Sequence, residues 1–110
     1  MIRTLVAREQ ITIDNTAGGK TLTAATLATK STSGRFRVEY ADIDVQTADI
    51  RTTIDGSTAP VGATTGALWY AQEKYRVWGI ANLSNLKMIR DGGTSAVVVV
   101  EYWGYPATAS

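Results

Sequence analysis

The chain has 110 residues, with 11 Lys and Arg, 10 Asp and Glu, a formal net charge of +1, and neither Cys nor His. Without Cys there is no disulfide framework, zinc ribbon or thiolate nucleophile, and without His there is no Ser-His-Asp triad or imidazole metal ligand. Thr, Val and Ile make up 33 of the residues. Because β-branched side chains pack well in sheets, the composition predicts one all-β domain over residues 1–110.

The sequence contains no segment with the length or pattern of a membrane or export segment. The longest apolar run, residues 96–100, has the size of a strand and falls far short of the roughly 20 residues of a spanning helix. The N-terminal stretch is short, with charges on both sides, which is not a signal-peptide pattern. We therefore expect a soluble protein. The absence of Cys is compatible with a reducing cytosol, and no motif indicates a cofactor. A net charge near zero also argues against binding to nucleic acid.

The first half of the chain alternates between short apolar-polar segments and turn residues, as strands joined by tight loops do. The predicted elements are a strand at 11–13, a turn at 14–19, a strand at 20–26, a polar loop at 30–34, a long strand at 35–46 and a strand at 48–54. The segment after these strands, residues 55–60, combines Asp, Gly and Pro and is a strong turn signal.

The apolar positions of the long predicted strand change parity part-way along it. Val38 and Tyr40 share one face, whereas Ile43 and Val45 have the opposite parity. In a strand without interruption, Ile43 and Val45 would point to solvent. One inserted residue would turn both side chains back to the face of Val38 and Tyr40. The pattern therefore predicts a β-bulge or a strand break near Tyr40 to Asp42.

The second half continues with shorter, aromatic-rich segments. Its predicted elements are strands at 67–70, 75–79, 86–90 and 95–103, with a turn or a single helical turn at 82–85. The segment Asp91-Gly92-Gly93-Thr94 predicts a hairpin between the last two strands. Residues 97–100 are apolar on both faces, which indicates a central strand or one covered by another subunit. The whole pattern predicts an antiparallel β-sandwich of eight or nine strands, either jelly-roll or immunoglobulin-like.

Charge is distributed unevenly along the chain. Residues 1–37 carry a net charge of +4, residues 38–73 a net charge of −5 and residues 74–110 a net charge of +2. The simpler interpretation is that these are solvated strand faces of one domain. The alternative is that they are complementary patches that mate between copies in an assembly.

Carboxylates are the only candidates for acid–base or metal chemistry. Asp42 and Asp44 are expected on one strand face, about 7 Å apart by strand rise, followed by Asp49 and Asp55. Glycoside hydrolysis or a structural calcium site could use such a set. However, two acids on one strand face usually form a solvated face, and no loop has the alternating ligand run of a calcium site. The sequence therefore favours a protein that is not an enzyme, without catalytic or metal-binding residues.

Most of the aromatic residues lie in the second half of the chain. Large rings fill the cores of small sandwiches, form subunit contacts, or stack on sugar rings, and all three roles remain open here. The segment 102–106 is the best candidate for a subunit contact, because it continues past the last predicted strand and is too apolar for a free tail. The aromatic residues concerned are Trp69, Tyr70, Tyr75, Trp78, Tyr102, Trp103 and Tyr105.

Three segments resemble small virion structural proteins of tailed bacteriophages. They are ITIDNTAGGK at residues 11–20, ADIRTTIDGSTAP at 48–60 and LKMIRDGGTSA at 86–96, about a third of the chain. The resemblance is to capsid decoration or head auxiliary proteins, which are β-sandwiches that act as oligomers without enzymatic chemistry. It implies no catalytic residues.

The resemblance implies a non-enzymatic virion protein, with a capsid decoration or cement protein favoured. Such a protein would be made in the host cytoplasm, act as a homo-oligomer (a trimer favoured) and bind the major capsid protein or other virion proteins on the capsid surface. One alternative is a tail, neck or baseplate component. Another, from a different class, is a carbohydrate-binding module with Trp69, Tyr70 and Trp78 as its platform. The residues predicted to form the interface are Arg3, Leu5, Trp69, Trp78, Tyr102, Trp103 and Tyr105.

Overall fold

A computed structural model describes residues 3–23 and 36–106, apart from the side chains at 36–37 and 105–106. The polar loop predicted at 30–34 and the end of the strand predicted over 20–26 lie outside the described residues. The elements are β1 (Thr4–Ile13), β2 (Lys20–Thr21), β3 (Phe36–Val45), β4 (Ile50–Thr53), β5 (Ala67–Trp69), β6 (Glu73–Trp78), α1 (Ile80–Asn85), β7 (Lys87–Arg90) and β8 (Ala96–Pro106).

These strands form two four-stranded antiparallel sheets, sheet A in the order β1-β8-β3-β6 and sheet B in the order β2-β7-β4-β5. The strands β1, β2, β3 and β4 pair with β8, β7, β6 and β5 respectively, so the chain follows the path of one long hairpin wound around the sandwich. This is jelly-roll connectivity, and it confirms the predicted antiparallel β-sandwich. The alternative immunoglobulin-like connectivity is not the one observed.

The core lies between the inner faces of the two sheets. Val98, Val100 and Tyr102 of β8 are fully buried, as are Ile43 and Val45 of the neighbouring β3. Strand alternation places these side chains on one face, where they exclude water at a gain of about 25 cal/mol per Å² of apolar surface. Residues 43 and 45 therefore face inward, as the predicted parity change required.

The predicted helical turn at 82–85 is confirmed as part of α1. Gly79 precedes the helix with φ +89°, a conformation that glycine adopts without steric strain. Leu83 is fully buried and joins the core cluster, which is how this short helix is held against the sandwich.

The hairpin predicted at residues 91–94 is wrong. β7 pairs with β2 and β4 in sheet B, whereas β8 pairs with β1 and β3 in sheet A, so this segment carries the chain from one sheet to the other. The Asp91 backbone N–H donates to the Asp49 carbonyl at 3.0 Å, and its carboxylate accepts from Arg51 Nε at 2.7 Å. The bond from Arg51 lowers the pKa of Asp91 below its ordinary value. Turn residues specify a chain reversal, but not which sheet the next strand joins.

Candidate interaction surface

Four large side chains line up across the outer face of sheet A, the face that points away from sheet B. Strand register places Leu5 of β1 opposite Trp103 of β8, Trp103 opposite Tyr40 of β3, and Tyr40 opposite Trp78 of β6. The strand neighbours Tyr102, Ala41 and Val77 belong to the core, so the residues beside them point outward. At a strand spacing of about 4.8 Å, this apolar row crosses roughly 14 Å, from one edge of the sheet to the other.

Two β-bulges turn side chains of the apolar row outward. The register shifts between Leu5 and Ala7 on β1, and between Val38 and Tyr40 on β3. Each shift adds one residue, which reverses the inside-outside alternation of the strand beyond it. Leu5 and Tyr40 therefore lie beside Trp103 on the outer face, and do not follow Ala7 and Val38 inward.

Rings and guanidinium groups pack together at the β6 end of the apolar row. The centroids of the Tyr40 and Trp78 rings are 4.6 Å apart, with the planes tilted by 45°. The Arg76 guanidinium lies 4.1 Å from the Tyr40 centroid and 5.6 Å from the Trp78 centroid. The guanidinium of Arg3, the residue before β1, lies 5.9 Å from the Trp78 centroid and pairs with the Glu39 carboxylate. These cation–π and ring contacts hold the side chains at this end of the row against one another.

The apolar row is covered at its centre and open at its two ends. Tyr40 is 8% exposed, whereas Leu5 is 44% and Trp78 is 49% exposed. The indole Nε1 of Trp103 is buried, and within the described part of the chain it has no hydrogen-bond partner. A buried donor without an acceptor costs about 1–3 kcal/mol.

A second row on the same face carries charges. Register places Arg8 of β1 opposite Glu101 of β8, Glu101 opposite Asp42 of β3, and Asp42 opposite Arg76 of β6. Arg76 holds Asp42 with two bonds, from Nε at 2.7 Å and from Nη2 at 3.1 Å. This hydrogen bonding raises the pKa of Arg76 above its ordinary value. These four residues form the charged row, two residues along β8 from the apolar row.

The structure brings together more than half of the residues predicted for an interface. Those that lie on or beside the apolar row are Arg3, Leu5, Trp78 and Trp103. Trp69 lies elsewhere, on β5 of sheet B, where its indole stacks on the Tyr75 ring with centroids 4.6 Å apart and planes 6° apart. Both rings pack against the core, so Trp69 contributes to the sandwich itself.

The prediction of Tyr102 as an interface residue is wrong. Its side chain is fully buried in the core, and its hydroxyl donates to the Glu9 carboxylate. Burial raises the pKa of Tyr102 above its ordinary value, so the phenol stays neutral. Because β8 is apolar on both faces, the sequence does not show which of Tyr102 and Trp103 points inward. The side chain of Tyr105 lies outside the described residues.

Sequence reasoning missed Tyr40 and the charged row. Strict alternation along the strand places Tyr40 on the same face as Val38. The sequence pattern does not show whether the extra residue lies before or after Tyr40. The charged row depends on register between four strands, and no local pattern reports that register. One signal was available. Asp42 is a charged residue two positions after Tyr40, so the two side chains are expected on the same, outer face.

The other chemistries considered from the sequence find little support in the geometry. Trp69 ends β5 in sheet B and Tyr70 directly follows it, whereas Trp78 lies on β6 in sheet A, so the three rings do not share a platform. Asp42 and Asp44 do share the outer face, but the Asp42 carboxylate is bound by Arg76. In residues 3–23 and 36–106 no group of three or more His, Cys, Asp or Glu side chains is placed to hold a metal ion.

The chain matches no protein-family model, no curated protein and no solved structure. Among the described residues, no helix is long and apolar enough to cross a membrane. What the chain does is therefore inferred from this face of sheet A and from the resemblance of its turn and strand segments.

Proposed function

We propose that this chain is a non-enzymatic structural protein of tailed-bacteriophage virions, a decoration protein that binds the capsid surface and stabilises the head. The observation that carries the proposal is the apolar row, which crosses sheet A and leaves Leu5 and Trp78 about half exposed. Large rings such as Trp78 are enriched at the centres of protein contacts, which is why this face is the candidate contact surface. The resemblance of the three turn and strand segments to small virion proteins supplies the class of partner.

The proposed mechanism is cohesion between neighbouring capsid subunits. Each copy contributes one modest contact face, and a homo-oligomer, with a trimer favoured, presents several such faces at once. Once one contact has formed, the other contacts of the oligomer are held at a high effective concentration near the lattice. An oligomer therefore binds a lattice far more tightly than one copy does. The energy of binding then opposes separation of the capsid subunits that the assembly bridges.

The copy number of the chain in purified particles tests this function. We expect quantitative mass spectrometry to find on the order of hundreds of copies per particle, because a lattice contact is repeated over the whole head. Particles from a phage with the gene deleted should assemble but rupture at a lower temperature. Absence of the chain from purified particles would overturn the proposal.

The same measurement separates the head from the tail. A tail, neck or baseplate component forms a single ring or trimer, so about a dozen copies or fewer would be found. That count would replace the decoration role with a tail role. A glycan-binding screen tests the carbohydrate-binding alternative, and we expect no glycan to bind if the chain is a decoration protein.

A further inference from the structure

We propose that the two Asp-Gly sequences of the chain are its sites of spontaneous isomerisation to isoaspartate, and that the fold slows the reaction at both by holding the carboxylate. One is Asp55-Gly56, in the loop between β4 and β5, and the other is Asp91-Gly92, between β7 and β8. The reaction belongs to the chain itself, so the proposal stands apart from any role in a virion.

Isomerisation begins when the backbone nitrogen of the residue after an aspartate attacks the side-chain Cγ. A bond forms between that nitrogen and Cγ, and the carboxyl –OH leaves with the amide proton as water, which closes a succinimide ring. Water then adds to one of the two ring carbonyls. If the bond from the nitrogen to Cγ breaks, aspartate is restored. If the bond to the main-chain carbonyl carbon breaks, the product is isoaspartate, whose backbone runs through the side chain and is one carbon longer.

Glycine after the aspartate singles out these two positions. Glycine has no Cβ to obstruct the approach of its nitrogen to Cγ, and its backbone rotates with little restriction. The other four aspartates of the chain are followed by Ile, Val or Asn, and no asparagine is followed by Gly. Asp55, Gly56 and Gly92 are exposed, so water for the second step is available at both loops.

Three donors hold the two carboxylate oxygens of Asp55. Oδ1 accepts from the backbone N–H of Ser57 at 3.0 Å and of Thr58 at 2.8 Å, and Oδ2 accepts from the Thr58 hydroxyl at 2.7 Å. Ring closure requires the carboxyl group to turn towards the Gly56 nitrogen and to lose one of these oxygens, so the bonds must break first. They also lower the pKa of Asp55 from 3.8 to about 2. At neutral pH this reduces the fraction of the neutral acid, which has the better leaving group, by about sixtyfold.

Asp91 is held from two sides. Its Oδ1 accepts from Arg51 Nε at 2.7 Å and from the backbone N–H of Ala63 at 3.1 Å, and its own backbone N–H donates to the Asp49 carbonyl at 3.0 Å. The Arg51 and Asp91 side chains are only 22% and 25% exposed, which leaves the carboxylate little room to turn. The bond from Arg51 also lowers the pKa of Asp91 and keeps the carboxylate ionised.

The test incubates the full chain for several weeks near neutral pH, in buffer and in guanidinium chloride, and measures isoaspartate at each site by peptide mapping. Water labelled with ¹⁸O marks each ring that has opened, because hydrolysis adds one oxygen from the solvent. In denaturant we expect the two Asp-Gly sites to react at similar rates and faster than the other four aspartates. In the folded chain both rates should be at least about tenfold lower, since hydrogen bonds to a charged group must break before the ring closes.

Two variants each remove one donor. Thr58→Val keeps the size of the side chain without its hydroxyl and should raise the rate at Asp55 about threefold or more. Arg51→Gln removes the ion pair and should raise the rate at Asp91 by a similar factor. The second site in each variant is an internal control, because a general loosening of the fold would accelerate both. Thr12→Val, on an exposed threonine of β1, is the matched control and should change neither rate.

Three outcomes would overturn the proposal. Equal rates in the folded and the denatured wild-type chain would show that holding the carboxylates gives no protection. Faster reaction at another aspartate in denaturant would show that the sites are wrong. Equal acceleration of both sites by either variant would mean that the protection comes from the stability of the whole fold, not from the donors at each carboxylate.

Discussion

Tyr40 on β3 and Trp103 on β8 stand directly opposite each other, and they share the outer face because β3 carries an extra residue between Val38 and Tyr40. Without that residue Tyr40 would follow Val38 into the core, and the apolar row would lose its link between β8 and β6. Bulges are common where a strand re-aims a side chain at a functional surface. This surface therefore depends on strand register as much as on residue type.

Replacing Gly66 by Ala is expected to destabilise the fold strongly. Gly66 has φ +114°, and a Cβ there would lie 2.7 Å from the Thr52 carbonyl oxygen of β4. Backbone strain and overlap act together, so the free energy of unfolding should fall by about 2 kcal/mol or more. Gly92→Ala is the control, since a Cβ at Gly92 has no neighbour within 4 Å. Equal urea midpoints for the two variants would contradict the close approach of residue 66 to β4.

Replacing Tyr102 by Phe should cost about 1–2 kcal/mol of unfolding free energy, because it removes the hydroxyl that donates to Glu9. Glu9 keeps its bonds from the backbone N–H and hydroxyl of Thr23, so the carboxylate stays partly satisfied. Tyr70→Phe, on an exposed ring, should change the unfolding free energy little. A Tyr102→Phe variant as stable as the wild-type chain would show that the Glu9 bond adds nothing.

The same tyrosine predicts a loss of stability at alkaline pH. Burial raises the pKa of Tyr102 above the ordinary value of 10.0. The folded state therefore disfavours the phenolate, so this stabilisation is fully present below pH 10 and declines as the pH rises beyond it. Thermal unfolding between pH 9 and 11 should show a steeper decline for the wild-type chain than for Tyr102→Phe. Parallel declines would mean that Tyr102 does not contribute.

Replacing Asp55 by Asn should reduce the sensitivity of the fold to acid. The Thr58 hydroxyl and the backbone N–H groups of Thr58 and Ser57 lower the pKa of Asp55 to about 2. A carboxylate with a lowered pKa contributes stability above its unfolded value of 3.8, and this is lost as the pH falls through about 2. Asn keeps the acceptor oxygen but not the titration. Melting temperatures from pH 5 to 2 should decline less for Asp55→Asn, and identical slopes would contradict this.

The sequence was sufficient for the fold class and insufficient for the surface. Alternation and turn residues predicted the sandwich and the helical turn in α1, because each depends on neighbouring residues. They also predicted a bulge on β3, but near Tyr40 to Asp42, whereas it lies between Val38 and Tyr40. The Asp91–Thr94 segment misled because a turn does not encode sheet membership. Tyr102 and Trp103 could not be told apart because β8 lies centrally and is apolar on both faces. The alignment of Leu5 with Trp78 across four strands depends on pairings between residues far apart in sequence.

The position of β8 also bears on when the protein can fold during synthesis. β8 is the last strand of the sandwich, yet it lies between β1 and β3 and pairs with both. Until residue 106 has left the ribosome, β1 has no partner in sheet A and β3 has only β6. Pairings between distant residues also fold slowly. The nascent chain is therefore expected to remain protease-sensitive until translation has passed β8, and then to become resistant as sheet A closes.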